Sequence, residues 1–291
     1  MPETSSPRRS VLYMPGANAR ALEKAMTLDC DAIIFDLEDA VAASSKAEAR
    51  EQVAAMVTAG GYGYRELVVR INGLDTPWGE EDLAVAATLP VAALLFPKVE
   101  SVSQVNEIVS AVDAAGGDHL PIWVMIETPK GVLDVRAIAS ASERVQCLVM
   151  GTSDLVKELR AEHTPSRSNL AFALQQCVLA AREAGIDVLD GVHLDFRNLD
   201  SFREACEQGR AMGFDGKTLI HPSQVEGANA VFGYGEEDIE DARAVLEVWA
   251  AAQAEGKGVA ELDGRLIENL HAAEAERVLA FAEALAQRAD G

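Results

Sequence analysis

The chain has 291 residues, with 25 Lys and Arg against 47 Asp and Glu, giving a formal net charge of −22. This balance excludes a general nucleic-acid binder, which needs clustered basic residues, and 49% hydrophobic residues exclude wholesale disorder. No run of about 18 apolar residues is present to span a membrane, and residues 1–9 lack the apolar stretch of a secretory signal. Cys30, Cys147, Cys177 and Cys206 are far apart, without zinc spacing or a disulfide framework. They read as reduced thiols of a cytoplasmic protein.

Taken in chain order, short apolar runs predict strands at 10–14, 32–37, 67–72, 93–97, 122–127, 145–150, 191–195 and 218–221. They are near-continuously apolar, as parallel strands covered by helices are. Amphipathic stretches predict helices at 19–28, 46–59, 79–88, 102–115, 131–140, 169–184, 201–212 and 237–254. Eight alternating pairs are the count of an α/β protein of the (β/α)8 TIM-barrel type, for which about 250 residues suffice. A doubly wound open sheet is the rival. The barrel is preferred because no Gly-x-Gly-x-x-Gly follows the first strand, which runs on as Met14-Pro15-Gly16-Ala17-Asn18. Gly256 and Gly258 read as a hinge, dividing a barrel domain at 1–255 from a C-terminal arm at 256–291 with a helix at 266–285.

In such a barrel, polar residues at the carboxyl ends of strands face the mouth. The sequence puts Asp36, Glu38 and Asp39 after the second strand, Arg70 and Asn72 at the third, and Lys98 and Glu100 at the fourth. Glu127 follows at the fifth, Asp154 at the sixth, His193 and Asp195 at the seventh, and His221 at the eighth. Gathered carboxylates with few histidines favour Mg2+, or Mn2+ as its substitute, over Zn2+. Glu127 and Asp154 are the best ligand pair. Equally, both segments suit helix caps through Thr128, Ser153 or Asp154, and spacing alone does not decide between ligand and cap. Arg70 has a fork suited to a substrate carboxylate, or to a buried salt bridge with one of these acids. His193 and His221 are either bases or packed histidines. Gly216-Lys217 lacks the spacing of a phosphate-binding loop.

Seven motifs in register then carry a resemblance. They are Arg9 to Gly16, Phe35 to Val41, Val69 to Gly73, Pro97 to Glu100, Ile126 to Gly131, Gly151 to Leu155, and Gly213 through Gln224. From about residue 8 to the C-terminal helix, the chain resembles the citrate lyase β-subunit-like lyases, which include malyl-CoA and citramalyl-CoA lyases of the HpcH/HpaI aldolase superfamily. The resemblance implies a TIM barrel assembled into trimers or hexamers, with Mg2+ on Glu127 and Asp154. It also implies that Arg70 holds the substrate oxygen beside the scissile bond and that Glu38 and Asp39 order waters at the ion. Tyr13 and Lys24 match coenzyme A contacts, with Arg20 as a neighbouring cation, while Asn18 replaces a family arginine. Glu268 stands where a C-terminal lid from a neighbouring subunit delivers an aspartate. The implied activity is a reversible cleavage of a 3-hydroxyacyl-CoA into acetyl-CoA and a 2-oxo acid, glyoxylate or pyruvate. Alternatives on the same scaffold are a (3S)-malyl-CoA thioesterase and a citryl-carrier-protein lyase subunit. A non-catalytic binding protein is the remaining reading.

Overall fold

The computed structural model describes residues 7–289. Contacts divide the chain into two compact units, Arg8–Phe232 and a second formed by Pro7 with residues from Gly233 onward. The division therefore falls at 232/233, upstream of the expected Gly256 hinge.

The larger unit is a closed barrel of eight parallel strands in sequence order. They are β1 (Ser10–Pro15), β2 (Ala32–Asp36), β3 (Glu66–Arg70), β4 (Ala93–Phe96), β5 (Ile122–Ile126), β6 (Val145–Met150), β7 (Asp187–Asp190) and β8 (Gly216–Leu219). The barrel closes where Val11 pairs with Thr218. Gly216 is required there, because a Cβ would lie 1.8 Å from the Arg8 carbonyl oxygen. Alternate residues such as Val11, Ile34, Val68, Leu95, Trp123 and Val149 fill the interior. The other set packs a larger layer against the helices. At the amino ends of the strands, Arg8 bridges Glu66 at 2.7 Å and Asp187 at 2.5 Å beneath Trp123. No helix among the described residues is long and apolar enough to cross a membrane.

The covering helices are α1 (Ala19–Ala25), α2 (Lys46–Ala59), α3 (Gly79–Ala86), α4 (Val102–Ala114), α5 (Pro129–Ala139), α6 (Thr152–Glu158), α7 (Ala171–Ala184), α8 (Leu199–Met212) and α9 (Val225–Phe232). Two of these, α6 and α9, are absent from the predicted set. The predicted eighth barrel helix is α10 (Glu236–Ala254), which belongs to the second unit. That unit also holds a hairpin, β9 (Ala260–Leu262) with β10 (Arg265–Ile267), and α11 (Asn269–Ala289). It has its own core of Val245, Trp249, Ile267, Ala272 and Val278. Part of the predicted helix at 266–285 is thus strand.

The last two barrel strands correct the sequence reading. The seventh lies at 187–190 instead of 191–195, and the eighth begins two residues early. Asp187, Asp190 and Lys217 made those segments look unlike strands, yet each has a distant partner. Asp190 accepts from Arg167 Nη1 at 2.7 Å and from Lys217 Nζ at 2.8 Å, and both Asp190 and Lys217 are almost wholly buried. Lys217 is therefore an outward-facing structural cation, in keeping with the absence of a phosphate loop. Asp190→Asn leaves two enclosed cations facing a neutral group and should lower stability by about 3–5 kcal/mol in chemical denaturation. A change below about 1 kcal/mol would contradict this reading of the triad.

Candidate active site

The carboxyl ends of the strands surround a cavity of about 340 Å³. Its wall carries Asp36, Asp39, Glu127 and Asp154 against one guanidinium, Arg70. Met125, Met150, Val192 and Ile220 line the apolar side. Four acids and one base in a partly dry cavity favour the entry of a cation.

Arg70 ends β3 and is buried. Its Nε and Nη2 donate to the two oxygens of Asp36, the last residue of β2, at 2.7 and 2.6 Å. The fork that could have gripped a substrate carboxylate therefore grips Asp36. Its third nitrogen, Nη1, lies 2.7 Å from Glu38 Oε2 and 3.8 Å from Asp39. Tyr13 lies flat beneath, 4.9 Å from the guanidinium carbon, and points its hydroxyl toward Met125. Asp36 also accepts the backbone N–H groups of Glu38 and Ala40 at 2.9 and 3.1 Å, which shapes the loop carrying the other two acids.

Lys46, at the start of α2, supports that loop from below. Its buried ammonium donates to the carbonyls of Leu37 and Glu38 and to Asn72 Oδ1 at 2.6–2.8 Å. Burial lowers its pKa, and nearby Asp36 and Glu38 oppose that shift. Asn72 in turn donates to the Leu37 carbonyl at 2.9 Å.

Glu127 follows β5 and is 1% exposed. Thr128, and not Glu127, caps α5, its hydroxyl accepting from Gly131 N at 3.0 Å. At α6 the cap is Gly151, with no side-chain bond, so Asp154 sits inside the first turn and caps nothing. Among the described residues Asp154 has no hydrogen-bond or ion-pair partner. The helix-cap reading therefore holds at α5 through Thr128 and fails at α6, and neither Glu127 nor Asp154 is itself a cap. One Glu127 oxygen accepts from Lys98 N at 2.9 Å, and the other packs on Gly151. Ser153 Oγ is enclosed without a hydrogen-bond partner among the described residues, whereas Glu38 Oε2 is met by Arg70. Hard oxygen donors, the unpartnered Asp154 carboxylate and the absence of His or Cys from the cavity wall fit a magnesium-like ion. Among the described residues no set of three or more His, Cys, Asp or Glu encloses a metal, so water and substrate would complete the shell.

Burial, and then the charge of Glu38, pushes the Glu127 carboxyl up to about 7. The folded value exceeds the ordinary 4.5, so its contribution to stability is complete below 4.5 and is lost as pH rises to about 7. We expect roughly 3 kcal/mol of metal-free stability to disappear over that window, measured as wild type minus Glu127→Gln. Equal pH profiles for the two proteins would contradict this. Gly151→Ala tests the packing, since its Cβ would meet Glu127 Cβ and Oε2 at 2.4 Å. Half-saturation with a divalent cation should then need at least about tenfold more ion, and an unchanged requirement would refute the contact.

The remaining predicted residues divide. Arg20 and Lys24 are exposed one turn apart on α1, and Asn18 caps that helix by accepting from Ala21 N. Glu268 lies in the second unit, where its carbonyl accepts from His271 N and Ala272 N at the start of α11. His193 lies in the loop beyond β7, with Nε2 3.0 Å from Ser201 Oγ. Burial and then Lys217 lower its pKa. His221 stacks on Phe196 at 4.6 Å. All four cysteines are buried; burial raises each thiol, those of Cys177 and Cys206 to about 12, so none is a ready nucleophile. The buried salt bridge that the sequence offers as one reading of Arg70 is thus present, with Asp36 as the acid, whereas nothing in the sequence signals Lys46.

A family-level match to HpcH/HpaI aldolase/citrate lyase covers residues 9–222, nearly the whole barrel unit. The chain belongs to this family. It is an enzyme of the HpcH/HpaI aldolase/citrate lyase superfamily, with the expected TIM-barrel fold. It is 46% identical over 286 residues to a (3S)-malyl-CoA thioesterase of Cereibacter sphaeroides, covering 98% of each chain. A citrate lyase β subunit of Escherichia coli is 34% identical, with 95% of this chain and 93% of that one aligned. Among solved structures, CitE of Mycobacterium tuberculosis in complex with magnesium, acetoacetate and coenzyme A matches with a TM-score of 0.78. That likeness has 26% identity and covers 97% of this chain and 100% of the other.

Proposed function

We propose that the chain is a divalent-cation-dependent hydrolase of a malyl-type coenzyme A thioester, releasing the hydroxy diacid and free coenzyme A. The observation that carries this reading is the 46% identity, end to end, with a (3S)-malyl-CoA thioesterase. It moves the thioesterase ahead of the carbon–carbon lyase expected from sequence. Glu127 and Asp154 would hold Mg2+, or Mn2+ in its place, and the ion supplies Lewis-acid stabilisation of negative oxygen when bound.

The protein's own residues divide the remaining work. Arg70 turns its Nη1 edge to the substrate oxygen, while Asp36 fixes the opposite edge of the guanidinium. Asp39, whose side chain is 59% exposed at the cavity wall, accepts the proton of the attacking water. Glu38, held between Arg70 and Lys98, orders that water. The water oxygen bonds to the thioester carbon, the C–S bond breaks, and the proton passes on to the departing sulfur. Arg20 and Lys24 offer positive charge to the nucleotide phosphates, and Tyr13 stiffens the pocket under Arg70. Glu268 would act from a neighbouring subunit's C-terminal unit in a trimer or hexamer.

The citrate lyase β relative supports a second reading, the lyase. There the hydroxyl proton leaves, the C2–C3 bond breaks, and the acetyl-CoA enolate is protonated. The test gives malyl-CoA and citramalyl-CoA to the protein, with Mg2+ or with EDTA, and follows free thiol and 2-oxo acid separately. Metal-dependent thiol without 2-oxo acid is expected. Stoichiometric 2-oxo acid and acetyl-CoA would replace the hydrolase with the lyase, and silence on both substrates would remove both readings.

A further inference from the structure

Lys98 has a backbone φ of +52°, a region that residues other than glycine seldom occupy. It sits two residues beyond the end of β4, on the rim that carries the acids. Its conformation is held from both sides. Gln104 donates to the Lys98 carbonyl at 3.2 Å and accepts from Glu100 N at 2.9 Å, while Val99 N reaches the Met125 carbonyl at 3.3 Å. Backbone strain that its surroundings enforce in this way occurs where the geometry is used.

The use is visible at both ends of the residue. The N–H, turned inward by the left-handed backbone, donates to Glu127 Oε1 at 2.9 Å. The ammonium donates to Glu38 Oε1, also at 2.9 Å. We propose that Lys98 is a positioning residue for the cation site. Its backbone fixes the carboxylate plane of Glu127 so that the second oxygen is presented for coordination, and its side chain keeps Glu38 beside Arg70. This rests on the reading that Glu127 is an ion ligand, and it goes further by assigning the aim of that ligand to one main-chain N–H.

Two substitutions separate backbone from side chain. Lys98→Gly and Lys98→Val both delete the ammonium, but glycine accepts positive φ freely and a β-branched residue resists it. Calorimetric Mn2+ titration of the folded proteins should give Lys98→Gly an affinity within about threefold of wild type and Lys98→Val one at least about tenfold weaker. Lys98→Ala replaces valine if the latter does not fold, with the same direction expected. Both variants should lose turnover through the released Glu38, which a purely structural turn would not predict for glycine. Equal Mn2+ affinity in all three proteins, or equal loss in both variants, would overturn the backbone assignment. Wild-type protein that binds no Mn2+ would overturn it together with the ion reading. Absent turnover of malyl-CoA by a wild type that does bind Mn2+ would remove only the proposed substrate.

Discussion

Glu127→Gln should lower turnover of malyl-CoA by at least about 10³-fold, because the amide keeps the shape of the side chain and discards the charge that holds the cation. The amide oxygen still accepts from Lys98 N, so the fold around β5 is retained. Without metal the variant should be more stable than wild type near pH 8, since burial and Glu38 already resist ionisation of the native carboxyl. Steady-state assays at saturating Mg2+, paired with thermal melts in EDTA, measure both effects. A variant within tenfold of wild-type activity would remove Glu127 from the chemistry. The opposite signs for stability and activity are what a functional carboxylate predicts and a structural one does not.

Arg70→Met should be both inactive and destabilised, and Arg70→Lys separates the two losses. Methionine leaves the buried Asp36 carboxylate without its bidentate partner, at a cost of about 3–5 kcal/mol. Lysine keeps a positive charge but cannot hold Asp36 with two nitrogens while presenting a third to the cavity. Its stability loss should therefore be smaller, and kcat should fall by about 10²-fold with less change in KM. Denaturant melts and kinetic constants for both variants decide the matter. Full activity in Arg70→Lys would mean that the guanidinium geometry serves only the Asp36 pair.

The contrast between these two residues bears on what the sequence could reveal. Strands β1 to β6 were legible because each is a short apolar run, and the acids at their ends follow from barrel geometry. β7 and β8 were displaced because their charged residues are matched by partners far away in sequence, such as Arg8 for Asp187 and Arg167 for Asp190. The order of residues does not report such pairs. Helix α6 escaped because its short run follows directly on the polar strand end at Gly151, and α9 because the longer α10 follows it. At the site, Glu127 and Asp154 could be named from position, but that neither acid caps its helix is seen only with Thr128 and Gly151 in place. Arg70 could be read as a fork for substrate or for one of the neighbouring acids, but the sequence could not choose Asp36 from the three. Lys98 could be placed at the mouth from the fourth strand's end, but nothing in a lysine announces a left-handed backbone.

The central claim is that Glu127 and Asp154 hold one divalent cation at the barrel mouth, and electron paramagnetic resonance of Mn2+ tests it most directly. Titrating wild-type protein near pH 7.5 should show one bound ion per chain. Adding malyl-CoA should alter its spectrum, and Asp154→Asn should release it. No bound ion, or an ion held equally well by Asp154→Asn, would contradict the account.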